Sequence, residues 1–546
     1  MMRRRFDVKE EAGEELQELL KGDRTHSVSQ KSIDNPPPVI KVFGICLVFR
    51  IANALLIHTY FNPDEHWQSL EVAHRIVFGY GHMTWEWSAG IRSYLHPLIF
   101  AFFYKLLWFF NLDTPSMMVM APRVYQSFFA AIGDAYFYRL SYSIFDKQTA
   151  DWALLSQLTN WFMFYCITRT LSNSLEAVLT IMAIYYWPSL KCSQSPPYEL
   201  RRTSRKVALV LAAFACAIRP TSAVIWIYLG TLHLFETRDK VKFVFMEVSP
   251  IGASVLALAC LFDRWMYGSW VFVPLNFVKF NFFSSGGDYY GTHKWHWYFS
   301  QGFPTMLFTF APFTTIGIWQ SKEWKLFGLI AWVLGVYSIL GHKEFRFVLP
   351  VLPIALLFSG YTLAKIGKCH SVELNCKGIG RTKQAHDFKK KWAILFLLLS
   401  NLPMAFYMSM IHQRGSEDAM AFLAREAAIG KVHSVLFLMP CHSTPYYSTL
   451  HRNISMRFLD CSPSAEEGYV DESDSFLLDP AKFTSLMALD WKQPSHILLF
   501  DSQERHLKDF LTSHSYKEQI RRFFHAHFKV DRDLQAAVLV YALVEC

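Results

Sequence analysis

The chain has 546 residues and a formal net charge of +9, yet only 18% of its residues are charged, while 52% are hydrophobic and 16% aromatic. An ordinary soluble domain carries about 25% charged residues, so that class is excluded. The basic residues lie in short segments between apolar runs rather than in one patch, which argues against nucleic acid as a partner.

Residues 1–39 are basic (Arg3, Arg4, Arg5, Lys9) and carry no cleavable signal pattern, so they are expected to form a cytosolic, disordered tail. Twelve apolar runs follow, centred on 42–58, 94–110, 121–142, 152–168, 174–190, 206–219, 222–236, 243–262, 303–320, 325–341, 345–366 and 391–412. Most approach the length that crosses about 30 Å of hydrocarbon as a helix, and lipid offers the backbone no partner outside its own helix. Basic segments at 191–206, 238–242, 322–325 and 367–391 belong with the N-terminus in the cytosol, which leaves loops 59–93 and 263–302 and the chain beyond 412 on the lumenal side. The two loops are separated by seven runs, an odd number, so one run falls short of a full crossing and eleven crossings are expected. The mismatch is sought at breaks in TRTLSNSLE (168–176) or IRPTS (218–222), or in an in-plane helix within 94–142.

Residues 40–412 thus form a multi-span membrane domain, and from 413 the composition turns to that of a soluble domain. VHSVLFLM (432–439), SHILLFD (495–501) and AAVLVYALV (536–544) predict strands between helix-compatible stretches, hence a small lumenal α/β domain over 413–546. Asn453 heads an N-x-S glycosylation pattern, and Cys441 and Cys461 are available for a disulfide in an oxidising compartment. No metal motif stands out.

Four stretches carry chemistry. In NPDEHWQ (62–68), Asn62 suits a helix N-cap, Pro63 the first position, and Asp64 and Glu65 the positive end of the helix dipole; Glu65 completes a capping-box pattern. At a lumenal membrane surface the adjacent carboxylates also suit a general base, because a close like charge and partial burial raise a pKa. GHKEFRFVLP (341–350) crowds His342, Lys343, Glu344 and Arg346 into a short connection, read either as a phosphate site or as anchors reaching the interface. Arg50, Arg169 and Arg219 lie in or beside apolar runs, where each costs roughly 2.5–3.5 kcal/mol at a bilayer centre. Arg50 is expected to pair with an acid on a neighbouring helix, the other two to face a pocket at the helix breaks. GDYYGTHKWHWYFSQGFP (287–304), with His293, His296 and Trp297, suits a sugar-binding surface and an interfacial aromatic belt equally.

A carboxylate that accepts a proton, cations that stabilise phosphate and an apolar surround suit transfer from a lipid phosphate to a hydroxyl. A lipid transporter or scramblase, expected to show paired internal repeats, and a non-catalytic scaffold are the rival classes.

PDEHWQSLEVAH (63–74), TWEW (84–87), RSYLHPLIF (92–100), TRTLSNSLE, IRPT, THKWHWYFSQGFP, HKEFRF and MPCHSTPYYS (439–448) resemble glycosyltransferase family 22. The resemblance implies an all-α polytopic membrane protein of GT-C fold, with 11–12 spans by the count above and the small C-terminal α/β domain. It also implies an inverting α-1,2-mannosyltransferase of the endoplasmic-reticulum membrane that uses dolichyl-phosphate-mannose. The PDEHWQSLE and HWYFSQGFP matches point to members that add the third mannose to the GPI-anchor precursor rather than to those of N-glycan assembly. By the same resemblance Asp64 is the base, with Glu65 sharing the role or orienting the acceptor. Arg346, Lys343 and His342, and more weakly Arg219 and Arg169, would bind the donor phosphate. Trp67, Gln68, His293, His296 and Trp297 are the residues expected at the acceptor sugar. The resemblance names no protein partner and leaves metal dependence open.

Overall fold

The computed structural model describes residues 38–190, 198–283, 291–366, 379–464, 468–489, 492–518, 522–527 and 535–544. The tail expected at 1–39, apart from its last two residues, lies outside the described residues, as do parts of the basic segments 191–206 and 367–391 and the start of the 287–304 stretch.

All twelve apolar runs are helical. Lys240–Tyr267, Phe345–Lys365 and Phe388–Ala428 are long and apolar enough to cross a membrane, and Leu95–Phe109 and Trp324–Ile339 are shorter apolar helices. Both breaks expected from the sequence occur. Helix Trp161–Cys166 gives way to Ser172–Tyr186 across 167–171, and a 3-10 turn at Pro220–Ser222 separates Tyr198–Ile218 from Ala223–Glu236. Proline cannot donate the backbone bond that a continuous helix needs there. The run 152–168 is interrupted as well, at Asn160, whose side chain accepts from Met163 N and donates to the Met306 carbonyl at 2.9 Å. Arg50 finds its acid in Asp134 of helix Pro115–Ile144, with Nε–Oδ2 2.6 Å and Nη2–Oδ1 3.1 Å, and both side chains are buried. A fork-to-fork pair of this kind keeps a guanidinium inside an apolar bundle.

The C-terminal part carries a six-stranded sheet. Its strands are β1 (Ser434–Leu438), β2 (Ser455–Phe458), β3 (His496–Phe500), β4 (Tyr516–Glu518), β5 (Phe523–Phe524) and β6 (Ala537–Leu543). The order is β2-β1-β3-β6-β4, with β5 also on β6; β1 pairs β2 and β3 in parallel, and β6 runs antiparallel to its partners. Central β3 is buried at every position, as a strand covered on both faces must be. Alternate residues face two cores: Val435, Phe437, Leu498 and Val540 meet helix Gly415–Ala428, while Leu436, Ile497, Leu499 and Leu539 meet helix Asp501–Ser513. Trp67, from the first loop of the membrane part, joins the former core, and Val39–Cys546 forms one compact unit.

Candidate active site

The site begins with the helix start at NPDEHWQ. Asn62 is extended (φ −146°), its side-chain oxygen accepts from Asp64 N at 3.0 Å, and Pro63 holds the first helical position. One turn of α-helix, Pro63–Glu65, widens into a π-turn at His66–Leu70 before Glu71–Phe78 resumes and stops at left-handed Gly79 (φ 81°). Successive helical residues point about 100° apart, whereas residues three and four apart share a face. Asp64, Trp67 and Gln68 accordingly line one cavity of about 620 Å³, and Glu65 does not.

Arg346, Glu344 and His342 line the same cavity from the GHKEFRF connection, and Arg219 and Arg92 contribute from further elements. The Arg346 guanidinium bridges two acids: it donates to Asp64 Oδ2 and, from Nε and Nη2, to Glu344 at 2.5 and 2.8 Å. Glu344 also accepts from Asn62 Nδ2 at 2.9 Å and lies 3.0 Å from His342 Nε2, so the cap residue and the basic connection are tied together. Burial pushes the Asp64 carboxyl up, but the Arg346 charge outweighs it and holds the group below the usual carboxylate range. Glu344 is held well below that range by the same balance. Arg219 donates to Ser172 Oγ at 3.0 Å and pairs with Glu176 at 3.3 Å, and Arg92 donates to Glu86 at 2.6 Å.

Glu65 departs from the expected acidic pair and from the expected capping box. It is 0% exposed. Its carboxylate accepts from Arg169 Nη1 at 2.8 Å and Arg123 Nε at 3.3 Å, and Arg123 continues to Glu417 at 2.7 Å. The pKa of Glu65 is not raised by Asp64: burial pushes it up, and Arg169 and Arg123 more than reverse that. Arg169 is no phosphate ligand either, because its remaining donors go to Tyr165 O, Thr59 O and Thr59 Oγ1. Lys343 turns away from the cavity to hold the carbonyls of His293, Leu340 and Gly341.

The aromatic stretch mostly serves packing. His293 stacks on buried Trp297 (4.8 Å), and His296 bonds Ser300 Oγ at 2.9 Å; of this stretch's described residues only Gly291 lines the cavity. Trp67 is 2% exposed, donates to Thr444 O at 2.9 Å and packs edge-on to His442 and Phe458, so its main task is to dock the site helix on the C-terminal sheet. Glu71, one turn on, reinforces the dock by accepting from Tyr446 N, Ser448 N and Ser448 Oγ at 2.6–3.2 Å; burial raises its pKa. Gln68 is different. It lines the cavity, with Nε2 3.5 Å from Thr84 Oγ1, and its buried Oε1 has no protein donor.

Cys441 and Cys461 are joined in a disulfide on the cavity wall, and Asn453 is exposed just before β2. Cavity residues to which the sequence reading gave no role include Glu344, Arg92 and Glu86. Glu344 sat in view between Lys343 and Arg346. Arg92 opens RSYLHPLIF, and a cation at the start of an apolar run, in the loop that carries the acids, was the available signal.

A cavity lined by a carboxylate and guanidinium groups, in a largely helical chain with helices of membrane-crossing length, fits the class of membrane glycosyltransferases of GT-C fold. The crystal structure of ArnT from Cupriavidus metallidurans bound to undecaprenyl phosphate superposes with a TM-score of 0.58 at 12% identity, covering 92% of this chain and 97% of that one. The Archaeoglobus fulgidus oligosaccharyltransferase tethered with an acceptor peptide gives 0.51 at 11% identity, covering 85% and 69%. The chain belongs to the Alg9-like mannosyltransferase family, which it matches over residues 41–451. Among its relatives, Mannosyltransferase APTG1 of Arabidopsis thaliana is 61% identical over 511 residues, 92% of each chain. GPI alpha-1,2-mannosyltransferase 3 of Mus musculus is 40% identical over 88% of this chain and 85% of its own. GPI mannosyltransferase 3 of Yarrowia lipolytica is 36% identical over 94% and 100%.

Proposed function

We propose that this protein transfers mannose from dolichyl-phosphate-mannose to the GPI-anchor precursor, adding the third mannose in α-1,2 linkage on the lumenal side of the endoplasmic-reticulum membrane. The relatives' names support the reaction and its pathway. The observation that carries the mechanism is the contact of Asp64 with Arg346 in the lining of one cavity, which Arg219 and Arg92 also line.

In this reading the donor phosphate takes up Arg346, with Arg219 and Arg92 beside it. As the phosphate shares the guanidinium, the influence that depresses the Asp64 pKa weakens, and the carboxylate becomes a better base when the donor is in place. The acceptor hydroxyl oxygen then forms a bond to the anomeric carbon, its proton passes to Asp64, and the bond from that carbon to the phosphate oxygen breaks with its electrons left on dolichyl phosphate. The anomeric centre inverts. Positioned arginines stabilise the charge that develops on the leaving phosphate, and Gln68 orients a sugar hydroxyl. A lumenal C-terminal α/β domain is supported by the Cys441–Cys461 disulfide, which persists in oxidising compartments, and by exposed Asn453.

Purified protein in lipid, given labelled dolichyl-phosphate-mannose and a GPI precursor bearing two mannoses, is expected to yield a product whose label is released by an α-1,2-specific mannosidase. Movement of the intact donor across the bilayer with no transfer contradicts the proposal and favours a transporter.

A further inference from the structure

The main cavity opens along two different walls. Arg92, Arg219, Thr221 and Phe277 also border a small cleft of about 50 Å³ whose remaining lining includes Ile91, Ala217, Leu256 and Ala259 together with Ser93, Ser172 and Asp263. Thr84, Trp85, His442 and Cys461 instead border a second chamber of about 420 Å³. Its further walls come from His82, Met83 and Ser88 of the first loop and from Met456, Phe458 and Asp460 of the C-terminal sheet edge. Phe458 and Asp460 lie at and just beyond the end of β2, and the disulfide at Cys461 fixes that edge against the loop carrying His442.

The chamber's chemistry is that of a carbohydrate subsite. Trp85 and His82 are only partly buried and supply aromatic surface for the C–H groups of a pyranose, Phe458 packs behind them, and exposed Asp460, whose Oδ1 accepts from Ser462 N and Oγ at 2.9 and 2.7 Å, presents a carboxylate to sugar hydroxyls. Aromatic walls set with polar side chains, here Thr84, Ser88, Arg457, Asp460 and Ser462, suit a hydroxyl-rich ligand, and about 300–1,000 Å³ is the usual size of a ligand pocket. Trp67, three residues from Asp64 on the same helix, packs against both His442 and Phe458, so the chamber lies one side chain away from the reacting cavity.

We infer that this chamber holds the sugar preceding the attacking one in the acceptor glycan, so that the enzyme reads a chain of at least two sugars; this rests on the transferase reading above. Binding energy gathered on a non-reacting sugar can be used to position the hydroxyl at Asp64. The assignment gives the C-terminal sheet a role in acceptor selection, through β2 and the disulfide.

The test is Ser88→Trp, which places a large side chain in the chamber from an exposed position outside the reacting cavity. With a synthetic lipid-linked dimannoside as acceptor, KM is expected to rise at least tenfold over wild type, while KM for a lipid-linked single mannose and for the donor changes less than twofold. Equal KM changes for the two acceptors, or none for either, would overturn the chamber assignment and leave the transferase reading intact. Wild-type protein that transfers mannose to neither acceptor would overturn both. A second measurement does not depend on how Ser88→Trp folds: a soluble dimannoside should slow the reaction of Ser88→Cys with a small thiol reagent at least threefold, and a monosaccharide should not. Equal protection, or none, would again count against the chamber.

Discussion

Two clusters of arginine and carboxylate lie within one helical turn of each other, and they differ in nearly everything except composition. Around Asp64, one guanidinium serves two acids at the wall of a cavity, and all three groups face it. Around Glu65, Arg169 and Arg123 serve Glu65 and Glu417, and Glu65 and Arg169 are both 0% exposed. The first cluster has room for a phosphate to exchange with a carboxylate. The second is closed, and ties the site helix to the break after Cys166, to helix Pro115–Ile144 and to helix Gly415–Ala428. The same ionic chemistry therefore acts as machinery in one place and as framework in the other, and access decides which.

The largest expected effect falls on the framework. Glu65→Gln removes one charge from the closed cluster, leaving buried Arg169 without a carboxylate and Arg123 with Glu417 alone, and breaking a buried pair in this way typically costs about 3–5 kcal/mol. Thermal melting in detergent should show a strongly lowered transition, with transfer per folded molecule retained within about fivefold, an allowance of about 1 kcal/mol. An undiminished melting temperature would break the comparison.

On the cavity side, Arg346→Gln should leave melting nearer to wild type but raise the donor KM and lower kcat. The loss of a charge-assisted hydrogen bond, about 1.5–3 kcal/mol, corresponds to roughly 10–150-fold in kcat/KM. Arg219→Gln should show the same pattern more weakly, because Arg219 is already engaged by Glu176 and Ser172. Kinetics with donor and acceptor varied separately distinguish this from a general loss.

A smaller effect sharpens the electrostatic half of the contrast. Since Arg346 holds the Asp64 carboxyl below its ordinary pKa of about 3.9, kcat/KM should stay level as pH falls through that value. The stability contributed by this ion pair is present above the unfolded carboxyl's pKa and is lost only as pH falls through the lower folded value. In Arg346→Gln the larger depressing charge is gone and Arg92 alone opposes burial and Glu344, which push the pKa up, so the acid limb should move to higher pH. A limb that stays in place would mean that another group controls it.

How far the sequence revealed these features follows from the range of the interactions involved. The helices were legible because each apolar run is self-contained, and the Asn62 cap because a cap is settled within three residues. The breaks at 168–176 and 218–222 were marked by their own polar and proline residues. Strands β4 and β5, three and two residues long, are too short for any periodicity, and edge strand β2 (SMRF) alternates only weakly in burial. Within the site, Asp64, Arg346, Arg219 and His342 could be chosen from residue type and position, and Gln68 only with the family resemblance. Glu65 was misjudged because neighbours in sequence look like neighbours in space, whereas a helix turns them onto different faces. Its partners Arg123 and Arg169 come from 58 and 104 residues away, beyond anything local pattern conveys. Lys343 and the His293–Trp297 stretch have the right chemistry and the wrong direction, and side-chain direction is set by packing.

The most direct test of the account is the transfer rate per folded molecule of Asp64→Asn, measured beside Glu65→Gln in the same membranes with saturating donor and acceptor. Loss of a general base predicts that Asp64→Asn falls by about 10²–10⁴-fold while its melting temperature and donor binding persist. An Asp64→Asn enzyme that turns over within a fewfold of wild type, or a Glu65→Gln enzyme whose folded fraction is the more inactive of the two, would contradict it.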